Sequence, residues 1–179
     1  MMLYESSGAS AEALESGSQS GDTQDTMSES SAKAELTTVM MRNIPDGFTS
    51  AMFIELVDKY GLNGTYDLVY MPIHYQSRIC FGYAFINCVS HEAAYAFTQK
   101  FNGFTDWGVP SDKVCETCWS DALQGLEAHI ERYRNSPVMH EKMPDEFRPL
   151  LFSNGQRISF PIPTKTIRPP RMRMKAFQL

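Results

Sequence analysis

The segment CFGYAFINC, residues 80–88, constrains the fold of this chain more than any other segment. Successive side chains of a β-strand point to opposite faces of a sheet. One alternating set in this segment is aromatic, and the other set is small or aliphatic. The sequence therefore predicts a strand with helices against its small side and aromatic rings on an open side. The aromatic set is Phe81, Tyr83 and Phe85, and the small set is Gly82, Ala84, Ile86 and Cys88.

The elements around this strand follow a defined order. β-Branched and apolar runs that end at Pro, Asp or Gly predict strands, and apolar residues at helical spacing predict helices. The order β-α-β-β-α-β between residues 37 and 119 predicts an α+β, ferredoxin-like fold, with a four-stranded antiparallel sheet and two helices on one face. The predicted elements are a strand from Thr37 to Pro45, a helix from Thr49 or Ser50 to Gly61, strands at Tyr66–Met71 and Ile79–Cys88, a helix at Ser90–Phe101 and a strand at Val114–Trp119.

The uncovered face of this sheet is suited to unpaired bases. Tyr83 and Phe85 are two residues apart on one face, and each aromatic ring can stack a base with about 1–3 kcal/mol. Met40 and Arg42 join them if the first and third strands are neighbours. Arg42 can reach a phosphate or a base edge, and Met40 either covers a base or fills the surface. Asn43 either bonds the turn backbone, which we favour, or reads a base.

A third helix competes for this open face. It is predicted from Ser120 or Asp121 to Tyr133, and its apolar stripe must be buried either beside the sheet or across it. Across the sheet, it would partly cover the aromatic residues, Phe81 included, so that RNA would displace it or bind along its rim. His129 is predicted to lie on its solvated side. The loop at 135–148 carries Pro137 and Pro144 and predicts an ordered wrap or a linker without further regular elements.

The two ends of the chain have opposite charge. Residues 1–36 hold seven acidic residues and one basic residue, with few apolar residues, and we expect this head to be disordered. Residues 120–160 form the predicted third helix and a proline-containing wrap. Residues 161–179 hold five basic and no acidic residues among four prolines, and we expect an extended tail that contacts phosphates, serves as a nuclear-import signal or is simply solvated. The basic residues of the tail are Lys165, Arg168, Arg171, Arg173 and Lys175.

Other residue patterns favour no reaction chemistry. Cys115 and Cys118 have the spacing of a metal or redox pair, but in a strand they would point to opposite faces, and no second pair completes a zinc site. No nucleophile or metalloprotease motif surrounds the four histidines. We therefore expect no catalytic residue, metal or cofactor. The chain also has no apolar run of about 18 residues and no signal-peptide pattern at its start, and we expect a soluble, intracellular monomer in the nucleus or cytoplasm.

Several segments resemble a known family. Phe81–Cys88 matches the octamer K/R-G-F/Y-G/A-F-V-x-F/Y of the RNA recognition motif at four consecutive positions, 82–85. VMMRNI, residues 39–44, looks like the companion hexamer of that motif. Together with YMPIHYQSRICFGYAFIN, FNG, KVCE and LQGLEAHIERYRNSPVMHE, these segments resemble the Mei-two-like carboxy-terminal RNA recognition motif from Thr37 to about Phe152. In that family, a Met in the hexamer and a non-basic start to the octamer are usual.

The resemblance implies a single-stranded RNA-binding module in post-transcriptional regulation, and it implies no reaction. The residues predicted to contact RNA are Met40, Arg42, Asn43, Phe81, Tyr83, Phe85, Lys165, Arg168, Arg171 and Arg173. The acidic body of the chain, between the two charged ends, also fits a second interpretation. In that interpretation the same fold binds a protein partner through the aromatic face or the third helix.

Overall fold

The computed structural model describes residues 35–170. Its strands form one antiparallel sheet in the order β4-β1-β3-β2-β5-β6, and the predicted β-α-β-β-α-β order is confirmed within it. The sheet has six strands rather than the predicted four. The elements are β1 Thr38–Arg42, α1 Ser50–Lys59, β2 Tyr66–Tyr70, β3 Tyr83–Cys88, α2 His91–Phe101, β4 Glu116–Trp119, α3 Leu126–Tyr133, β5 Leu150–Ser153 and β6 Gln156–Ile158, with single 3-10 turns at Pro137–Met139 and Asp145–Phe147.

The main core lies between the sheet and the first two helices. Strand parity places Val39 and Met41 of β1 on this side, and both are fully buried. Ala84 and Ile86 of β3 pair with them and are equally buried. The predicted division of β1 and β3 into a core side and an open side is therefore confirmed. Each large apolar side chain buried here stabilises the fold by about 1.5–3 kcal/mol.

Local capping sets the ends of the two core helices. The side chain of Thr49 accepts a hydrogen bond from the Met52 backbone N–H, at 3.2 Å, and so caps α1. Ser90 does the same for α2 through the Ala93 N–H. In the sequence, each of these residues directly precedes apolar residues at helical spacing, and both are predicted helix starts. A capping residue of this type contributes about 1 kcal/mol.

β3 begins at Tyr83, four residues later than predicted. Gly82 has a φ of +81°, in the left-handed region that glycine adopts without strain, and this interrupts the extended backbone. Its carbonyl still accepts the backbone N–H of Ile44 at 3.0 Å, which holds it against the end of β1. Phe81 consequently lies in the preceding loop and not in the alternating strand.

The two additional strands form a hairpin on the β2 edge of the sheet. β5 pairs with β2, and β6 pairs with β5. Asn154 and Gly155 make the turn, with φ of 51° and 74°. Asn-Gly is the strongest short sequence signal for such a two-residue turn, because both residues tolerate positive φ. This signal is present in the sequence, although our sequence analysis did not predict a hairpin from it.

α3 lies across the open face of the sheet, which resolves the two placements that its apolar stripe allowed. The ring of Tyr133 packs against Tyr70 of β2 with centroids 4.7 Å apart. The ring of His129 lies over Phe85 of β3 at 6.3 Å. The helix starts at Leu126, later than predicted, because Gly125 before it has a φ of +84°.

A buried hydrogen-bond network centred on Thr38 holds the start of α3 to the sheet. The Thr38 hydroxyl donates to Asn87 Oδ1 at 2.7 Å and accepts the backbone N–H of Gly125 at 3.0 Å. The side-chain amide of Gln124 accepts the Thr38 N–H at 2.8 Å and donates to the Thr38 carbonyl at 3.0 Å. Since Thr38 is completely buried, each of these bonds replaces one that water would otherwise make.

His129 completes the network and corrects a prediction. It was expected on the solvated side of α3, but it is completely buried. Its Nε2 lies 3.3 Å from the Thr38 hydroxyl, whose own hydrogen points to Asn87, so Nε2 carries the proton and donates. Its Nδ1 is buried without a hydrogen-bond partner among residues 35–170. Burial lowers the pKa of His129 to about 4, because the charged imidazolium is poorly solvated there.

We predict that His129 makes the fold less stable in mild acid. An unfolded histidine binds a proton below about pH 6.5, whereas folded His129 does so only below about pH 4. Between these values the unfolded state binds more protons, so the free energy of unfolding should fall as the pH falls from about 6.5 to about 4, by roughly 2–3 kcal/mol. Urea unfolding across this range should show a shallower pH slope for His129→Gln.

His74→Gln is the matched control, because His74 is exposed in the loop before β3. Its pH slope should equal that of the unsubstituted protein. If His129→Gln kept the full slope, then His129 would not be the group whose protonation opposes folding.

Candidate nucleic-acid interface

Strand pairing arranges the open face in three rows that run across the sheet. Residues directly opposite each other on antiparallel strands share a face, so each row follows from the register. The inner row is Thr38, Asn87, Leu68 and Leu151. The middle row is Cys118, Met40, Phe85 and Tyr70. The outer row is Glu116, Arg42 and Tyr83.

The inner row is closed to any ligand. Thr38 and Asn87 are buried in the hydrogen-bond network under the start of α3. Leu68 and Leu151 are also buried on this face, away from the main core. Asn87 further donates to Asp67 Oδ1 at 2.7 Å, so its polar atoms are satisfied within the chain. This end of the face is therefore structural.

The middle row is partly covered. Phe85 and Tyr70 are half-buried, because rings of α3 lie on them. Burial also raises the pKa of the Tyr70 phenol. Met40 is half-buried, and Cys118 at the β4 end is exposed. A ligand can therefore reach the β4 and β1 part of this row.

The outer row is open and carries one acidic and one basic side chain. Arg42 and Glu116 are exposed, and neither makes an ion pair within the part of the chain that the structure describes. Tyr83 is half-buried and packs edge-on against Phe85, with centroids 5.7 Å apart and planes at 79°. The row thus combines an aromatic ring with a free donor and a free acceptor.

Two predicted contact residues lie at the rim of this surface. Asn43 adopts a φ of 60°, and its side-chain amide donates to the Val114 carbonyl at 3.0 Å, which ties the end of β1 to the segment before β4. The side chain of Asn43 thus bonds the backbone at Val114 and not the turn backbone that we expected. Phe81 is 56% exposed in the loop before β3, edge-on to His74, and α3 does not cover it as Phe85 is covered. Strand parity therefore does not place Phe81 on the open face, but its ring is exposed.

The described part of the basic tail follows the far end of α3. Arg134 donates to the Ile162 carbonyl at 3.1 Å, and the Thr164 backbone N–H donates to Asn135 Oδ1 at 3.0 Å. Lys165 and Arg168 follow this anchor and are exposed. Of the other predicted tail contacts, Arg171 and Arg173 lie outside the described residues, as do most of the acidic head and Lys175.

The cysteine pair at the start of β4 shows no shared site. Cys115 is buried and Cys118 is exposed. Burial raises the pKa of the Cys115 thiol to about 12, so it packs as a neutral group. Within residues 35–170, no group of three metal-ligating side chains occurs.

The same described range contains no helix long and apolar enough to cross a membrane.

Sequence reasoning missed several residues of this face. Glu116 and Cys118 were not assigned, although they follow from parity once β4 is paired with β1. His129 and Tyr133 cover the middle row, and no sequence signal fixes where their helix docks.

Comparisons with known proteins agree with this architecture. Residues 36–134 match the family described as RNA recognition motif 2. The chain is 39% identical over 120 residues to Protein MEI2-like 2 of Oryza sativa, which covers 66% of this chain and 14% of that protein. It is 35% identical over 149 residues to Meiosis protein mei2 of Schizosaccharomyces pombe, covering 80% of this chain and 19% of that protein. The chain therefore spans less than a fifth of the length of these relatives.

This chain is also similar to solved structures. The Rna15 RRM with bound RNA (GU) is 19% identical with a TM-score of 0.42, and the match covers 53% of this chain and 94% of that chain. Sex-lethal RNA recognition domains 1 and 2 from Drosophila melanogaster are 20% identical with a TM-score of 0.39, covering 47% and 49%. From the strand order, the octamer on β3 and the family match over residues 36–134, this chain belongs to the RNA recognition motif 2 family and is a Mei2-like RNA recognition motif protein.

Proposed function

We propose that this chain binds single-stranded RNA on the uncovered part of its sheet and acts in post-transcriptional regulation. The observation that carries the proposal is the outer row, where the half-buried ring of Tyr83 adjoins the exposed, unpaired guanidinium of Arg42. Unpaired bases stack on aromatic rings, and a guanidinium binds phosphate or base edges. Membership of the RNA recognition motif 2 family supports the same function.

The cover of α3 defines where the RNA lies in this proposal. It closes the inner row and the β2 part of the middle row, so bases have access only to the end of the face where β3 begins. One base stacks on Tyr83 and a neighbouring base lies over Met40 and the free edge of Phe85. Phe81 is exposed beyond Tyr83 and can continue the stack. In this proposal the RNA therefore crosses the sheet beside α3 instead of beneath it.

Protein binding through α3 finds less support than RNA binding. The inward side of α3 already packs within the chain, through His129 on Phe85 and Tyr133 on Tyr70. The regulatory role rests on the resemblance to the Mei-two-like family alone.

Removing the Tyr83 ring should weaken RNA binding selectively. Tyr83→Ala is expected to lower the affinity for labelled single-stranded RNA by about 1–3 kcal/mol, measured by fluorescence anisotropy, with little change in the free energy of unfolding.

Phe85→Ala should lower RNA affinity by a similar amount but should also lower the free energy of unfolding, because Phe85 supports His129. Tyr95→Ala is the control, since Tyr95 is an exposed ring on α2, on the helix-covered side. If both face variants bound RNA as the parent does, while binding to a protein partner was lost, the protein-binding function would be correct instead.

The basic tail should add sequence-independent affinity. For single-stranded RNA, the slope of log affinity against log salt is about −0.7 per neutralised phosphate. Replacing all five basic residues of the tail by Gln should flatten that slope by roughly 3.5 if all five contact phosphates, and by less if some do not. Substitution is preferable to deletion because it keeps the Thr164–Asn135 anchor. The loss should be nearly uniform across RNA sequences, since phosphate contacts do not read bases. The replaced residues are Lys165, Arg168, Arg171, Arg173 and Lys175.

Lys59 and Lys100 provide the matched control for charge. Both lie at the C-terminal ends of α1 and α2, on the covered side of the sheet, and their replacement by Gln should leave the salt slope unchanged. A slope unaltered by the tail substitutions would show that the tail does not contact RNA.

A further inference from the structure

We propose that Glu116 of β4 selects guanine for the base that lies over Met40. This inference rests on the proposed RNA-binding function and names the base that the surface prefers.

The position of Glu116 fits a base-reading residue. Its Cα partner on β1 is Arg42, and Met40 is diagonal to it on the same face. Diagonal neighbours across an antiparallel pair are about 7–8 Å apart, within reach of a glutamate side chain and a base lying over Met40. Tyr83 is two strands away from β4, so a base stacked on Tyr83 lies beyond the reach of Glu116.

The carboxylate of Glu116 is available for a ligand. Glu116 is exposed, and it makes no salt bridge and no side-chain hydrogen bond within the part of the chain described here. Arg42 lies directly opposite and is equally exposed, yet the two do not form an ion pair. Some other acidic residues of this domain are engaged, as Asp46 is with Lys113, Asp58 with Tyr66 and Asp145 with Arg157. The outer row therefore presents one acceptor-only and one donor-only side chain.

Charge limits what this carboxylate can contact. Phosphates carry negative charge, so a carboxylate beside the RNA backbone is repelled. Arg42 is the cation opposite Glu116 and suits the phosphate, which leaves a base edge as the favourable partner of Glu116. An ionised carboxylate has two oxygens that only accept hydrogen bonds, so the base edge must present donors.

Guanine meets this requirement better than any other RNA base. Its N1–H and N2–H₂ are adjacent donors on one edge, and they can bond both carboxylate oxygens together. Adenine and cytosine offer a single amino group beside an acceptor nitrogen, and uracil offers a single N–H between two carbonyls. Hydrogen bonds to a carboxylate are stronger than neutral ones, and the bidentate arrangement adds specificity. An acceptor nitrogen or carbonyl facing Glu116 would instead be repelled, which adds discrimination against the other three bases.

The test uses oligouridine probes that carry one substituted base at the centre. Because the flanking bases are identical, each probe can shift along the surface until the substituted base lies over Met40. Fluorescence anisotropy should show that the intact chain prefers central guanine over adenine, cytosine or uracil by roughly 10- to 100-fold, the range expected for one bidentate base contact. Inosine lacks the N2 amino group and should lose a large part of that preference. Glu116→Ala should abolish the preference, because it weakens the guanine probe while the other three probes bind no more weakly than before.

Matched variants separate this inference from the proposed function. Glu127→Ala removes an exposed acid on α3 and should keep the full guanine preference. Tyr83→Ala should weaken all probes alike. If the intact chain bound every probe equally, or if Glu116→Ala kept the preference for guanine, the selection by Glu116 would be refuted while RNA binding stood. If no probe bound, both proposals would fail.

Discussion

The hydroxyl of Thr38 is the interaction on which the arrangement of this domain depends. It donates to Asn87, accepts from Gly125 and lies against His129, while the Thr38 backbone pairs with Gln124. A buried polar group without partners costs about 1–3 kcal/mol, so this network is stable only when all of its members are in place. It therefore fixes the start of α3 over the inner row, and with it the part of the sheet that stays open.

This placement gives neighbouring aromatic residues different roles. Tyr83 and Phe85 belong to the same octamer and the same face, but Phe85 supports His129 and Tyr83 does not. Phe85 contributes to both folding and the surface, and Tyr83 is the ring that the proposed function assigns to a ligand. The open end of the sheet carries the unpaired side chains of Arg42 and Glu116, whereas at the closed end the polar groups of Thr38 and Asn87 are hydrogen-bonded within the chain.

The sequence predicts the features of this domain that depend on short-range periodicity. The alternation of Val39 and Met41 with Met40 and Arg42 determines which side of β1 is buried, because the period of a strand is two. An apolar stripe shows that α3 is buried, but it does not show against which surface, and that choice depends on the distant Thr38. His129 was misplaced for the same reason, since its burial requires a partner on β1. Glu116 becomes visible only when the β4–β1 register is known.

The energies decide whether RNA would displace α3 or bind beside it. Five hydrogen bonds join Gln124, Gly125 and His129 to Thr37 and Thr38, and each contributes about 0.5–1.5 kcal/mol. The contact of Tyr133 with Tyr70 adds about 0.5–1.5 kcal/mol beyond the apolar area that it buries. Against this, full exposure of Phe85 would gain one stacked base, worth about 1–3 kcal/mol. Displacement therefore costs more than it returns, and under the proposed function RNA binding at the uncovered end, over Tyr83, Arg42 and Met40, is the favoured mode.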